Sequence, residues 1–154
     1  MRLLLSLSTV LLFALVSCKK ESSTVPLTRK FAPLDGVQMV PSKSGVGSGN
    51  MDLVYNKSTK ILSYTVRWNS LTGPVVGIGI FGRAARGFVT VTAIQSFTFA
   101  PPTAAPLPTQ GSYSNTLLVD QVTVKEAELL AGEYYMMVIT ATNQTGEIRG
   151  QIEF

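Results

Sequence analysis

The stretch MDLVYNKSTKILSYTVRW, residues 51–68, decides the fold class of this chain. Apolar side chains occupy every second position on both sides of a polar turn at 56–60; they are Met51, Leu53, Tyr55, Leu62, Tyr64, Val66 and Trp68. A period of two is typical of strands that bury one face. The stretch therefore predicts a β-hairpin, and it places Trp68 on the buried face.

The sequence that follows continues as short strands separated by turns. Residues 75–81 predict a third strand, and the alternation over 89–99 predicts a long strand that bends or holds a bulge. Residues 134–141 are apolar on both faces, which predicts either a central strand or an exposed apolar patch for a partner. Residues 147–154 predict the last strand.

One long segment breaks the pattern. Residues 100–116 contain four of the eight prolines and show no periodicity, so they predict a loop well beyond the usual length. The loop is either a plain crossover between two sheets or a binding loop with Leu107 and Tyr113 as exposed contacts.

A single helical signal follows this loop. The residues from Thr123 to Glu126 form a capping-box pattern, which predicts a helix of at most two turns that ends at Gly132. Short strands, many turns and almost no helix predict an all-β antiparallel sandwich or barrel.

The first 17 residues have the features of a secretory signal peptide. Arg2 precedes an apolar run of about 14 residues, which is too short to span a bilayer. The tetrapeptide Leu15-Val16-Ser17-Cys18 resembles the lipobox of bacterial lipoproteins, in which the cysteine is acylated and becomes the new N-terminus. We therefore expect Cys18 to carry a lipid; the alternative is an ordinary signal peptide with an incidental cysteine.

The residues after the cysteine predict how the domain is attached. Residues 18–33 are expected to form the lipidated N-terminus and a flexible tether, and residues 34–154 the folded domain. Two acyl chains would hold the protein firmly on a membrane. Lys19 after the cysteine favours, by analogy with known lipoproteins, a cell-envelope location in the outer membrane, facing either the periplasm or the cell surface.

The amino-acid composition excludes several kinds of catalytic and binding site. The chain has no histidine and one cysteine, so imidazole catalysis, histidine-bound metals and disulfides are excluded. Its 13 Lys and Arg against 9 Asp and Glu give a net charge of +4, and the basic residues are too scattered for nucleic-acid binding. The pattern G-x-G-x-x-G at 77–82 lacks a following helix, so no nucleotide site is expected.

Carboxylates are the remaining candidates for catalysis. Asp35, Asp52, Asp120, Glu126, Glu128, Glu133 and Glu147 could supply the acid pair of a hydrolase, but nothing in the sequence clusters them. No calcium-loop spacing occurs either. We therefore expect no catalytic residue, metal or cofactor, and we keep a secreted hydrolase with two carboxylates as the alternative.

Three segments of the chain resemble the chordin-type domain, abbreviated CHRD, of animal chordins and many bacterial secreted proteins. Residues 37–41 resemble the family's opening strand, and residues 62–66 with 71–75 resemble its hairpin and Leu-Thr-Gly-Pro turn. Residues 130–135 with 146–152 resemble its closing signature, which is the most specific of the three. The resemblance covers about 36–154, and it implies a structural role for Gly146, Glu147, Arg149, Gly150 and Gln151, which we call the signature residues.

The departures from the family pattern concern its histidines. The positions that match them here are Gly79, Phe81 and Ile139, so a ligand that relatives bind through imidazoles cannot be bound in that way. The same region resembles copper/zinc superoxide dismutases, whose enzymology a chain without histidine cannot perform. The resemblance implies a Greek-key β-sandwich, either immunoglobulin-like or Cu/Zn superoxide dismutase-like.

Together these observations predict a non-catalytic binding or structural module of the bacterial envelope. Its first partner would be the membrane, reached through the lipid on Cys18. An envelope protein, an extracellular protein and a glycan remain open as ligands.

Overall fold

The computed structural model describes residues 25–45, 47–102 and 104–154. The predicted signal peptide, Cys18 and the first part of the tether lie outside the described residues. Within the described ranges the elements are β1 Leu27–Leu34, β2 Ser48–Asn56, β3 Ile61–Asn69, β4 Val75–Gly82, β5 Ala93–Thr98, β6 Gly111–Leu118, α1 Glu126–Leu130, β7 Tyr134–Thr140 and β8 Ile148–Gln151.

The hairpin predicted from residues 51–68 is confirmed. Strands β2 and β3 are antiparallel, with Met51 opposite Val66 and Tyr55 opposite Leu62. Their alternating apolar side chains are buried because one face of the pair packs against the second sheet. Trp68 is 3% exposed, and its indole nitrogen donates a hydrogen bond to the Pro108 carbonyl oxygen at 2.9 Å.

Two four-stranded antiparallel sheets enclose the core. The first sheet has the strand order β1-β2-β3-β6, and the second has the order β5-β4-β7-β8. Because β6 lies beside β3 and β7 beside β4, the chain crosses between the sheets as in a Greek-key β-sandwich. Leu53 and Val66 of the first sheet share the core with Ile78 and Val138 of the second. The predicted all-β sandwich with one short helix is confirmed.

Strand β1 occupies residues that the sequence assigned to the tether. It pairs with β2 at the edge of the first sheet. The predicted tether of residues 18–33 must therefore end before β1 begins at Leu27. A bulge between Arg29 and Ala32 shifts the register of the strand and breaks its period of two. Pro33 is tolerated because an edge strand has one unpaired side.

Two other strand predictions need correction. Residues 37–41, which resemble the family's opening strand, form turns and bends instead. The long strand predicted over 89–99 is limited to β5, because residues 88–92 leave the sheet and fold over its outer face. Val89 and Val91 are consequently exposed.

Strand β6 overlaps the C-terminal part of the predicted proline-rich loop, which therefore ends at residue 110. The strand pairs with β3 over its whole length, with Tyr113 opposite Val66. Tyr113 is half-buried and its ring packs against Phe97 and Phe99, with centroids 5.2 and 5.5 Å away. Leu107 is half-buried as well and exchanges backbone hydrogen bonds with Val75. Leu107 and Tyr113 therefore do not lie together as exposed contacts of one loop, and these positions give the binding-loop alternative no support.

The short helix is present, but the predicted capping box is not. Helix α1 begins at Glu126 after Lys125, which makes no side-chain cap. The Asp120 carboxylate instead accepts hydrogen bonds from three successive backbone amides at 122–124, because a charged acceptor competes well for free N–H groups. Gly132, at φ +71°, ends the helix as predicted. With five residues, the one helix of the described ranges is far too short to cross a bilayer.

The central position of β7 is confirmed. It lies between β4 and β8, and its side chains are almost all buried on both faces of the sheet. The glycines at 77–82 belong to β4, and an irregular loop follows them, so they form no phosphate-binding turn.

Candidate functional site

The signature residues Glu147, Arg149 and Gln151 share one face at strand β8, as their spacing predicts. This face points away from the sandwich core, yet the three residues are only 0%, 2% and 4% exposed. Residues 35–45 with Gly47 cover them from one side, and the loop at 83–92 between β4 and β5 covers them from the other. Polar side chains so deeply buried require partners for their hydrogen-bonding groups.

Glu147 is bound by hydroxyl and amide donors. Its carboxylate accepts hydrogen bonds from the hydroxyls of Thr140 (2.6 Å) and Thr72 (2.9 Å), and from the backbone amides of Thr72 (2.8 Å) and Gly47 (3.3 Å). Burial raises the pKa of this carboxyl, but these donors together outweigh burial, so its pKa is lowered overall. Glu147 therefore connects three loops at one end of the second sheet.

Arg149 is a buried guanidinium without a carboxylate partner. Its Nη1 donates to the Phe88 carbonyl oxygen at 2.6 Å, and its Nη2 donates to the Gln151 side-chain oxygen at 2.9 Å. The guanidinium carbon lies 3.6 Å from the centroid of the Tyr135 ring, a cation–π contact. No ion pair involves Arg149 in the part of the chain that the structure describes. Burial lowers its pKa, with a further contribution from the charge of Arg86.

Gln151 and Gly150 complete the contacts of this strand. The Gln151 amide nitrogen donates to the carbonyl oxygens of Ala84 and Gly132, which fixes the start of the 83–92 loop. Gly150 lies directly against β1, where a side-chain carbon would overlap the Pro33 carbonyl oxygen.

Replacing Gly150 by alanine is expected to lower the free energy of unfolding by about 1–3 kcal/mol, because the two backbones must separate. Chemical denaturation followed by circular dichroism measures this change. Gly77→Ala is a matched control in the same sheet, since its new methyl group would meet the Ile139 side chain at 3.3 Å and no backbone atom closer than 3.6 Å, and it should cost less. Equal effects of the two substitutions would contradict the proposed close approach.

A cavity of about 350 Å³ lies beside Arg149 on the outer face of the second sheet. We call it the outer cavity. Most of its lining is apolar, and Arg149 is the one charged residue among the described residues that line it. The lining residues are Met39, Val40, Phe81, Val89, Thr90, Val91, Tyr135, Met137, Ile139, Gln144, Thr145 and Arg149.

The outer cavity coincides with two of the positions that match the family's histidines. Phe81 and Ile139 line it, and Gly79 lies against the Phe81 ring. Phe81 also stacks on Tyr135, with ring centroids 5.6 Å apart. Apolar side chains therefore occupy the positions where imidazoles would stand. Strands β4, β7 and β8 supply one part of the lining, and loops without any periodicity supply the rest, so the sequence pattern does not predict the cavity.

The carboxylates form separate networks and no shared site. None of four cavities formed by the described residues is lined by two carboxylates. The pKa values of Asp52, Asp120, Glu126, Glu128 and Glu147 are all lowered, whereas a general acid needs a raised one. The described residues also contain no group of three or more Cys, Asp or Glu side chains that could hold a metal ion. The geometry gives the two-carboxylate hydrolase no support.

Comparison with known proteins identifies the domain. Residues 31–152 match the CHRD domain, which agrees with the resemblance seen in the closing signature. No curated protein and no solved structure matches the chain at a significant level. Because the match spans most of the 154 residues, the chain belongs to the CHRD domain family.

Proposed function

We propose that this protein is a lipid-anchored, non-catalytic binding module of the bacterial envelope, and that the outer cavity is its ligand site. CHRD domains are extracellular binding or structural modules and are generally non-enzymatic. The observation that carries the binding role is the outer cavity itself. A concave, largely apolar site with a few polar groups is the usual form of a small-ligand site.

The proposed attachment to the envelope rests on the N-terminal sequence. The tetrapeptide at 15–18 resembles a lipobox, and only eight residues separate Cys18 from the first residue of β1. An extended segment of that length reaches at most about 30 Å. The folded domain would therefore remain close to the membrane surface, where Lys19 and Lys20 meet anionic headgroups.

Metabolic labelling with a palmitate analogue tests the anchor in the expressing bacterium. The wild-type protein should carry the label and fractionate with membranes, because an acylated cysteine holds it there. Cys18→Ala should lose the label and leave the membrane fraction. Ser17→Ala keeps a small residue before the cysteine and should be labelled like the wild type. Labelling of the Cys18→Ala protein would refute the anchor without affecting the assignment of the cavity.

A further inference from the structure

The guanidinium of Arg149 carries a buried positive charge that its present contacts do not neutralise. Its hydrogen bonds go to backbone carbonyl oxygens and to a side-chain amide oxygen, and its flat face meets the Tyr135 ring. These groups satisfy N–H donors but bring no negative charge. Buried charges in proteins are normally paired, because an isolated one is expensive to remove from water.

The neighbouring charges do not correct this imbalance. The Arg86 guanidinium is itself paired with Glu153 at 3.0 Å, so the Glu153 carboxylate is already engaged by another cation. Glu147, the carboxylate two residues before Arg149, accepts hydrogen bonds from Thr72 and Thr140 instead. The outer cavity therefore has a positive group in its wall and no carboxylate among the described residues of its lining.

The shape and lining of the outer cavity restrict what can supply the missing charge. Met39, Met137 and Ile139 provide an apolar floor, which disfavours a strongly hydrated dianion such as inorganic phosphate. Thr90, Gln144 and Thr145 offer a few additional polar groups. A volume of about 350 Å³ is near the lower end of the range for small-molecule sites, so the ligand must be small.

From these observations we propose that the outer cavity binds a small monocarboxylate with an apolar body, oriented by attraction of its carboxylate to Arg149. The apolar body lies against Phe81, Met137 and Ile139, and the carboxylate points towards β8. The inference rests on the proposed binding role and adds the chemical class of ligand. A charged group at one end of an apolar site fixes the orientation of the ligand, as in other small-molecule sites.

The test uses 3-phenylpropionate and its uncharged amide as a matched pair of probes. The mature lipidated protein is placed in phosphatidylcholine nanodiscs, and each dissociation constant is measured by calorimetry against empty nanodiscs. The carboxylate is expected to bind at least about tenfold more tightly than the amide, a difference of about 1.4 kcal/mol. Equal affinity for the two probes, or binding of neither, would overturn the proposal. Acylation of Cys18 is measured separately, so the two failures are distinguishable.

A negative charge introduced at the cavity rim provides the decisive variant. Val91 lines the outer cavity and is 95% exposed, so Val91→Asp should fold normally while it repels the carboxylate or occupies Arg149. Its preference for the carboxylate over the amide should fall to about twofold or less. Val122→Asp adds the same charge at a residue that is 80% exposed and outside the cavity lining, and should keep the full preference. An unchanged preference in Val91→Asp would contradict the role of Arg149.

Discussion

Replacing Trp68 by alanine is expected to lower the free energy of unfolding by about 3–5 kcal/mol, the usual cost of removing a buried aromatic side chain. The indole lies in the main core at 3% exposure, and its N–H donates to the Pro108 carbonyl oxygen. The substitution removes both the packing and this hydrogen bond to the segment before β6. Urea denaturation followed by circular dichroism measures the change, because the variant has no tryptophan left to report by fluorescence.

The wild-type protein and one neighbour serve as controls for this prediction. Because Trp68 is the only tryptophan, the folded wild type should show blue-shifted emission that moves to longer wavelength on unfolding. Ile61 begins the same strand and is 38% exposed, so Ile61→Ala should cost about 1 kcal/mol or less. A Trp68→Ala protein as stable as the Ile61→Ala protein would place the indole outside the core.

Glu147→Gln is expected to destabilise the fold by about 2–4 kcal/mol at neutral pH, because several bonds to one charged acceptor are weakened together. The Thr72 and Gly47 amides both donate to this carboxylate. The new side-chain amide keeps the shape of the residue but replaces an acceptor with a donor facing these groups. Chemical denaturation gives the difference in unfolding free energy between the two proteins.

The same variant should remove one contribution to the pH dependence of stability. Folding lowers the pKa of Glu147 below its ordinary value of 4.5, so the carboxylate stabilises the native state above that pH. This stabilisation is lost as the pH falls through the folded-state pKa. The stability difference between wild type and Glu147→Gln should therefore be greatest near pH 7 and shrink towards pH 3. A difference that stayed constant over this range would mean that the carboxylate is not held in its charged form.

Alternation of apolar residues predicted the strands in which every second side chain is buried. It did not predict the strands in which that alternation is interrupted. The hairpin of β2 and β3 was found because every second residue enters the core. In β1 the bulge after Arg29 shifts the register, and only Ala32 and Leu34 beyond it are buried, so the strand shows no continuous alternation. In β6 the half-buried positions include Asn115, while serine and threonine occupy the outer face, so no apolar alternation is visible. Only pairing with β3 identifies that segment as a strand.

The candidate site could be predicted only in part for a similar reason. The spacing of Glu147, Arg149 and Gln151 correctly places them on one face, since alternate residues of a strand share a side. Their burial depends on loops that fold back over the sheet, and loop positions leave no periodic trace in the sequence. The outer cavity, which those loops create, therefore became visible only in the structure.

The position of β8 in the sequence determines when the domain can complete its folding. This last strand exchanges backbone hydrogen bonds with Asp35 at the end of β1, and its side chains hold loops from early and middle parts of the sequence. A polypeptide that emerges N-terminus first cannot form these long-range contacts until β8 has been made. The domain therefore completes its folding only once β8 is available, and its earlier strands must be kept from aggregating until then.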